Sequence, residues 1–561
     1  AFGGDYDFNQ ISTANVERIE VVRGPQSALF GSNAIGAVVR IVTRRGGPPS
    51  AQLSGETGHQ GTTRVSASTA GERGAFEWGA AFDRLQSDGM NGDRTASGDT
   101  IANDDYERRT GAISGAWRRG EARVRADLRH STDERGFPGP FGSNPIGAFG
   151  GIDTISRGDN RRTSGALSLS APMSSRIRGQ AQLSYSRLDS DFVSPFDTSE
   201  SFSRRWAGRA QADVVLAPGL DLSAGIELQR ERAGSTYIKA APARQIPIAR
   251  RTAGYFAEGR WNSDDRLFVI AGLRVEDIHR RRIDELQDPF SPRPLLPADT
   301  VVSVNPRLSA AWLARDGATS YTKLRGAVGT GIRPPDAFEL AFTDNPGLRP
   351  ERSTSAEAGV DQAFAGGRGL IEATAFFNDY DDLIVAVGPF TGSSRYQTDN
   401  ISNARARGLE TALTLRGRFA SRHPIDLSGR FGYTLLDTEV LSVDRDRAAP
   451  APFTVGQALP RRPRHQFFAD VSASITGVTL FVRGGGRGEV LDVEPSWGTF
   501  GGLFDASGYH VWSAGASWRL TPYLDLFGRV DNLFDRAYEE AFGFPAPGRR
   551  ATAGLRIAAG R

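Results

Sequence analysis

The chain has 561 residues, no cysteine, two methionines and a hydrophobic fraction of 39%, and its mean hydropathy is negative. No apolar run approaches the roughly 18 residues that a spanning helix needs, which excludes a helical membrane protein; the missing thiols exclude disulfide staples and thiolate metal sites. The formal charge of +3 is a small difference between 68 basic and 65 acidic residues, and the basic ones, almost all arginine, are spread along the chain, so no block of positive charge favours a nucleic-acid partner.

The chain opens on Ala1-Phe2-Gly3-Gly4-Asp5, without the charged and then apolar stretch of a secretory leader. A processed, truncated or partial chain is therefore expected. Asn15 to Thr43 reads as a strand, a Gly24-Pro25 turn, a short Ser27-Ala28-Leu29-Phe30 turn closed by Gly31, and a second strand.

From about Gln52 a different pattern takes over: stretches of about ten residues with two-residue alternation, each followed by a connection. Ile177, Gly179, Ala181, Leu183 and Tyr185 alternate with Arg178, Gln180, Gln182, Ser184 and Ser186. Trp206, Gly208, Ala210, Ala212 and Val214 alternate with a face carrying Arg209, Gln211 and Asp213. Leu409, Leu413 and Leu415 oppose Glu410, Thr414 and Arg416, and Leu427, Phe431 and Tyr433 oppose Asp426, Ser428, Arg430 and Thr434. Such a chain hides a membrane signal from mean hydropathy, because every second residue faces lipid and the others face a polar lumen.

The connections alternate as well. Short turns at Ala217-Pro218-Gly219, Asn262 to Asp265 and Thr521-Pro522-Tyr523 are interleaved with long ones, among them Gly136 to Asn160, Asp277 to Asn305 and Asp437 to Arg464. An up-and-down barrel gives this rhythm when one rim carries turns and the other carries loops, whereas a soluble sandwich has no reason for it. Counting in this way gives an all-β fold of about 22 antiparallel strands. A barrel of that size encloses a lumen wide enough for a folded plug. Residues 1–46 are assigned to the plug and 47–561 to the barrel.

Three stretches carry a family resemblance. The run Asn15-Val16-Glu17-Arg18-Ile19-Glu20-Val21-Val22-Arg23-Gly24-Pro25-Gln26-Ser27-Ala28-Leu29-Phe30-Gly31, with Gly36-Ala37-Val38-Val39-Arg40-Ile41-Val42-Thr43, resembles the end of the plug domain of TonB-dependent outer-membrane receptors. Asn345-Pro346-Gly347-Leu348-Arg349-Pro350-Glu351 and the C-terminal Val530-Asp531-Asn532-Leu533-Phe534-Asp535 are similar to stretches of the family's barrel. The resemblance implies energised import of a small molecule across the bacterial outer membrane and no catalytic residue. It implies as partners TonB, through a plug segment absent from this chain, outer-membrane lipid, and a ligand such as cobalamin or a siderophore. The ending Ile557-Ala558-Ala559-Gly560-Arg561 departs from the aromatic residue with which the family usually finishes.

The same resemblance points to site residues. Family plugs set the arginine matched by Arg23 against two barrel glutamates, and the matching positions are Glu357 and Glu410; a guanidinium between two carboxylates would fix the plug yet yield when pulled. The loop from Ser87-Asp88-Gly89 to Asn103-Asp104-Asp105-Tyr106 resembles loops of cobalamin transporters in which acidic residues bind calcium. Asp88, Asp93, Asp99, Asp104 and Asp105 are the candidate ligands, since hard cations take several oxygens; a solvated acidic loop is the plainer alternative. Phe137 and Phe141, in a turn-rich Phe-Pro-Gly-Pro-Phe-Gly stretch, are candidates for an apolar ligand face, or for packing within the loop. The six histidines are scattered, with none at helical metal-site spacing. A passive channel and a barrel enzyme remain as rival readings, although no local nucleophile-and-base motif supports the latter.

Overall fold

The computed structural model describes residues 8–44, 46–144, 150–195, 198–235, 248–285, 294–317, 319–343, 345–387, 397–419, 422–443, 454–493 and 503–560. Twenty-two antiparallel strands form a closed barrel. The last strand, Arg550–Ala559, pairs with the first, Ser50–Gly58, from Thr552 opposite Gly58 to Ala559 opposite Ala51. Among the described residues no helix is long and apolar enough to cross a membrane, so the strands alone make the crossing.

The alternation has the two faces expected of it. Leu183, Trp206, Leu228, Tyr255, Leu308 and Leu409 are large, apolar and exposed on the outer wall, where acyl chains are their solvent. Their neighbours point inward and bond to one another: Gln180 and Gln211 both donate to Asp213, and Arg209 donates to Gln211. Trp117, Trp261, Trp312, Trp518 and Phe419 stand exposed at the short-turn ends of their strands, an aromatic girdle at the periplasmic interface.

Several strands run far past the length needed to cross lipid, reaching 20 residues in Thr198–Ala217 and 23 in Gln397–Phe419, against roughly 9–11 for a tilted crossing strand. The expected long connections are accordingly trimmed: Asp277 to Asn305 contains the end of Leu267–Arg280, the start of Asp299–Arg315 and a bridge between Ile283 and Leu296. Above the bilayer both faces of a strand meet water or loops, so the two-residue contrast fades while the backbone pairing continues.

The motif around Asn345 sits at the mouth of the barrel. It follows a short helix, Ala337–Phe342, opened by a reciprocal cap between Asp336 and Glu339, and Ala337, Leu340 and Leu348 share a buried apolar cluster with Ile283 and Leu296. The first described segment lies in the lumen. Strand β1 (Val16–Arg23) pairs with β2 (Ala37–Thr43), Arg23 opposite Ala37, and the four-residue helix α1 (Ser27–Phe30) joins them. The pair ends at Thr43 and the wall begins at Ser50.

Facing follows parity along each strand, so neighbouring substitutions must behave oppositely. Leu183→Arg, on the lipid face near mid-strand, is expected to destabilise the barrel by about 2–4 kcal/mol, and Gln182→Arg, facing the lumen, to change it little. Urea unfolding in lipid vesicles measures both, and equal costs would refute the assigned faces.

Candidate functional site

The site is the contact between the β1–α1–β2 unit and the inner wall. Gly24 and Gly31, with φ of +76° and +79°, allow the chain to turn sharply at each end of α1, a backbone region that residues with a Cβ rarely enter. The turns carry Arg23, Gln26 and Ser27 onto the wall. Arg23 donates to Glu410, and Arg307 donates to the Gln26 side-chain oxygen while Gln26 Nε2 donates to Arg23 O at 3.1 Å. Asn33 N donates to Ile332 O at 2.9 Å, Ser353 Oγ to Ile35 O at 3.3 Å and Arg209 Nη1 to Leu29 O at 3.3 Å.

Glu357 is placed differently from its expected role. Its carboxylate lies beside the Gly24 backbone, where a Cβ would come 3.9 Å from Oε2, but the ion pair of Arg23 is with Glu410. The structure thus brings Arg23 and Glu410 into contact and leaves Glu357 as a neighbour. The Arg23 side chain is 63% exposed and that of Glu410 27%, so water screens the pair and its net strength is about 0–1 kcal/mol.

Behind α1 the wall is charged and dry. Arg274 and Glu276, both fully buried, pair at 2.9 Å, and Arg274 also reaches Glu227 at 3.5 Å. A Cβ on Gly31 would lie 3.0 Å from both Arg274 Nη2 and Glu276 Oε1, so plug and wall approach closely here where glycine supplies both the space and the positive φ. Sequence reasoning missed Arg307, Arg274 and Glu276. Two inward charges two residues apart, Arg274 and Glu276, on either side of the outward Val275, were the available signal.

Between Phe30 and Thr43 of the plug and the wall residues Arg129, Gln182, Arg205, Arg209 and Glu227 lies a cavity of about 510 Å³. Its lining sets Arg129, Arg205 and Arg209 beside Asp127 and Glu227 among apolar and small residues such as Phe30, Ile113 and Leu128; no group of three or more potential metal-ligating His, Cys, Asp or Glu side chains occurs among the described residues.

The five acidic loop residues have different neighbours. Asp93 accepts from Gln60 Nε2 at 3.3 Å, Asp99 from Ser97 Oγ at 2.8 Å and Asp104 from Met90 N at 2.7 Å, while Asp88 lies against Gly61. Asp105 forms two bonds with Arg157, at 2.7 and 2.9 Å, which hold its carboxyl below the ordinary range. Burial, with Asp105 and Asp93 nearby, pushes Asp104 up. Asp93, Asp99, Asp104 and Asp105 thus each accept from a different donor. Phe137 packs edge-on against Phe192 at 5.4 Å and lies under Arg135, and Phe141 is half-buried; the structure places Phe137 inside the loop packing.

Two family models match the chain. The model for the TonB dependent receptor-like β-barrel covers residues 45–533, and that for the TonB-dependent receptor plug domain covers residues 1–38. The chain belongs to the TonB-dependent receptor family. Curated relatives of this receptor include the iron-regulated outer membrane virulence protein of Vibrio cholerae, 25% identical over 97% of this chain and 79% of the relative. The vitamin B12 transporter BtuB of Vibrio vulnificus is 22% identical over 98% and 81%. Among solved structures, the siderophore receptor PiuA from Acinetobacter baumannii superposes with a TM-score of 0.79 at 13% identity, covering 98% of this chain and 87% of that one. The copper transporter OprC gives 0.78 at 17% identity with the same coverage. The receptor is an outer-membrane, TonB-dependent importer of a scarce nutrient.

Two measurements bear on this geometry. Gly31→Ala should lower the melting temperature of the receptor, at a cost of about 1–3 kcal/mol for the strained φ alone, more than Gly36→Ala, whose Cβ would meet nothing within 4 Å. For Asp104 the folded carboxyl binds its proton more tightly than the unfolded one, so wild-type stability falls as pH rises from the ordinary carboxylate range through the raised folded value. Asp104→Asn, which keeps an acceptor for Met90, should therefore be relatively more stable at neutral pH, and the gain should vanish in acid. Thermal unfolding across pH tests this; a pH-independent difference would refute it.

Proposed function

We propose that the ligand is a metal chelate of the cobalamin-like or iron-siderophore class, bound over the mouth and passed along the arginine-lined cavity when the plug contact is released. The observation that carries this reading is the seating of α1 by several separate contacts rather than by one. Arg23 on Glu410 and Arg307 on Gln26 bridge chain segments far apart in sequence, and Arg23 sits at the end of β1 where tension on the plug reaches the wall. Contacts of this kind hold a closed state collectively and yield in turn under load.

The cavity supports the same reading, because Arg205 and Arg209 on its wall suit the carboxylate, phosphate or catecholate oxygens of such chelates. The relatives point to this class in their own names: iron regulation for one, vitamin B12 for another. Transport of this kind needs no catalytic residue, and no step depends on calcium.

Growth of a strain lacking its own outer-membrane importers, carrying the full-length gene and supplied with cobalamin or with single ferric chelates, tests the ligand class. Rescue by one of these compounds is expected. In the rescued strain Arg23→Ala and Glu410→Gln should each slow uptake without abolishing ligand binding, and their double variant should match the worse single one. Rescue by none of them, with normal receptor levels, would overturn the proposed class.

A further inference from the structure

On the outer wall, in the half nearest the long connections, basic side chains face one another across neighbouring strands. Arg187 lies opposite Arg204, and Arg204 opposite Arg232; in the adjacent row Arg230 lies opposite Arg251, and Arg251 opposite His279. All six are exposed. Like charges directly opposite in a sheet repel, so a row of them without counter-charge is a standing cost that a bound anion would remove.

The arginines elsewhere at this level have carboxylates. Arg84 and Arg109 share Glu107, Arg161 pairs with Asp191, Arg407 with Asp437, and Arg187 itself with Asp189. Arg204 has the Phe202 ring at 5.3 Å as its neighbour, and among the described residues Arg204, Arg230, Arg232 and Arg251 make no ion pair. Asp277, on the same outward face as His279, makes none with them either. In this part of the wall the arginines without an ion pair lie on the three adjacent strands Thr198–Ala217, Leu220–Ser235 and Ile248–Ser263.

The height of the patch is set by what lies beneath it. On each strand the outward residues are apolar or small from the short-turn end up to Tyr185, Trp206, Leu228 and Ala253, and become basic at the next outward position, Arg187, Arg204, Arg230 and Arg251. Those stretches match the roughly 9–11 residues of a crossing strand, which sets the arginines level with the outer-leaflet headgroups. Below them Leu183, Leu228, Tyr255 and Leu273 form an exposed apolar wall, and Tyr185 and Trp206 stack at 4.5 Å between wall and patch.

We propose that this surface is a docking site for an outer-leaflet amphiphile whose headgroup carries phosphates. The phosphates lie among Arg204, Arg230, Arg232 and Arg251, and the acyl chains run down the apolar wall. Guanidinium forks take phosphate oxygens bidentately, and the membrane supplies no other anion held at that depth with a tail attached.

Native mass spectrometry of the receptor in detergent tests the site, with diphosphoryl lipid A as the probe. Replacing all four arginines by glutamine should lower the bound fraction about tenfold or more, since each charge-assisted bond lost is worth on the order of one such factor. Arg407→Gln, at an arginine already paired with Asp437, should leave it unchanged. Fully dephosphorylated lipid A should bind the wild-type receptor much more weakly, an arm that needs no variant to fold. Equal binding by the quadruple variant, equal binding of the dephosphorylated lipid, or displacement by an equal concentration of inorganic phosphate would overturn the proposal.

Discussion

Hydrocarbon offers the peptide backbone no hydrogen-bonding partner, and the rest of this molecule follows from satisfying that condition. A flat sheet would leave two edges bare in lipid, each unsatisfied group costing several kcal/mol. Here the edge of Arg550–Ala559 meets the edge of Ser50–Gly58, and no edge remains. Closure is thus the condition under which a chain of negative mean hydropathy can reside in a membrane at all.

Once closed, the wall divides its side chains by parity, and the lumen becomes a place where charge is affordable. Asp83, almost fully buried, is held by Arg64 at 2.7 Å and Arg108 at 2.8 Å, and Arg64 reaches on to Thr13 of the lumen segment at 3.4 Å. A chain with many arginines but little net charge therefore makes physical sense: most inward guanidinium groups have a carboxylate on the same wall. Where the plug touches that wall, the ion pair of Arg23 and Glu410 is exposed enough for water to weaken it, whereas Gln26, which accepts from Arg307, is buried and the pair of Arg274 and Glu276 behind α1 is dry. The dry ion pair belongs to the barrel and the water-screened one to the interface, an arrangement suited to an insert that must move against a fixed frame.

Outside the bilayer the same logic changes its readout. In the acidic loop between Ser87 and Tyr106 carboxylates take local partners, Met90 N for Asp104 and Arg157 for Asp105, which tie the loop to its surroundings. The two phenylalanines proposed as a ligand face differ in surroundings, and Phe137 is already committed to Phe192.

The amino-acid sequence by itself determined the strand-and-turn rhythm, the count of 22 and the assignment of faces, because lipid and water impose opposite demands on successive residues and that contrast is written locally. It also determined the strand–turn–turn–strand order of the lumen segment, where Gly24, Pro25 and Gly31 act through their own backbones, while the second turn is a four-residue helix in the structure. Only the tertiary structure decided how far strands rise beyond the membrane, since pairing there persists without a hydrophobic contrast to mark it. Only the tertiary structure, too, decided that Arg23 chooses Glu410 over Glu357, that Arg307 meets Gln26, and that Asp105 pairs with Arg157. Those outcomes depend on which strands become neighbours across hundreds of residues and on where each side chain finds its nearest partner, and no local pattern encodes either.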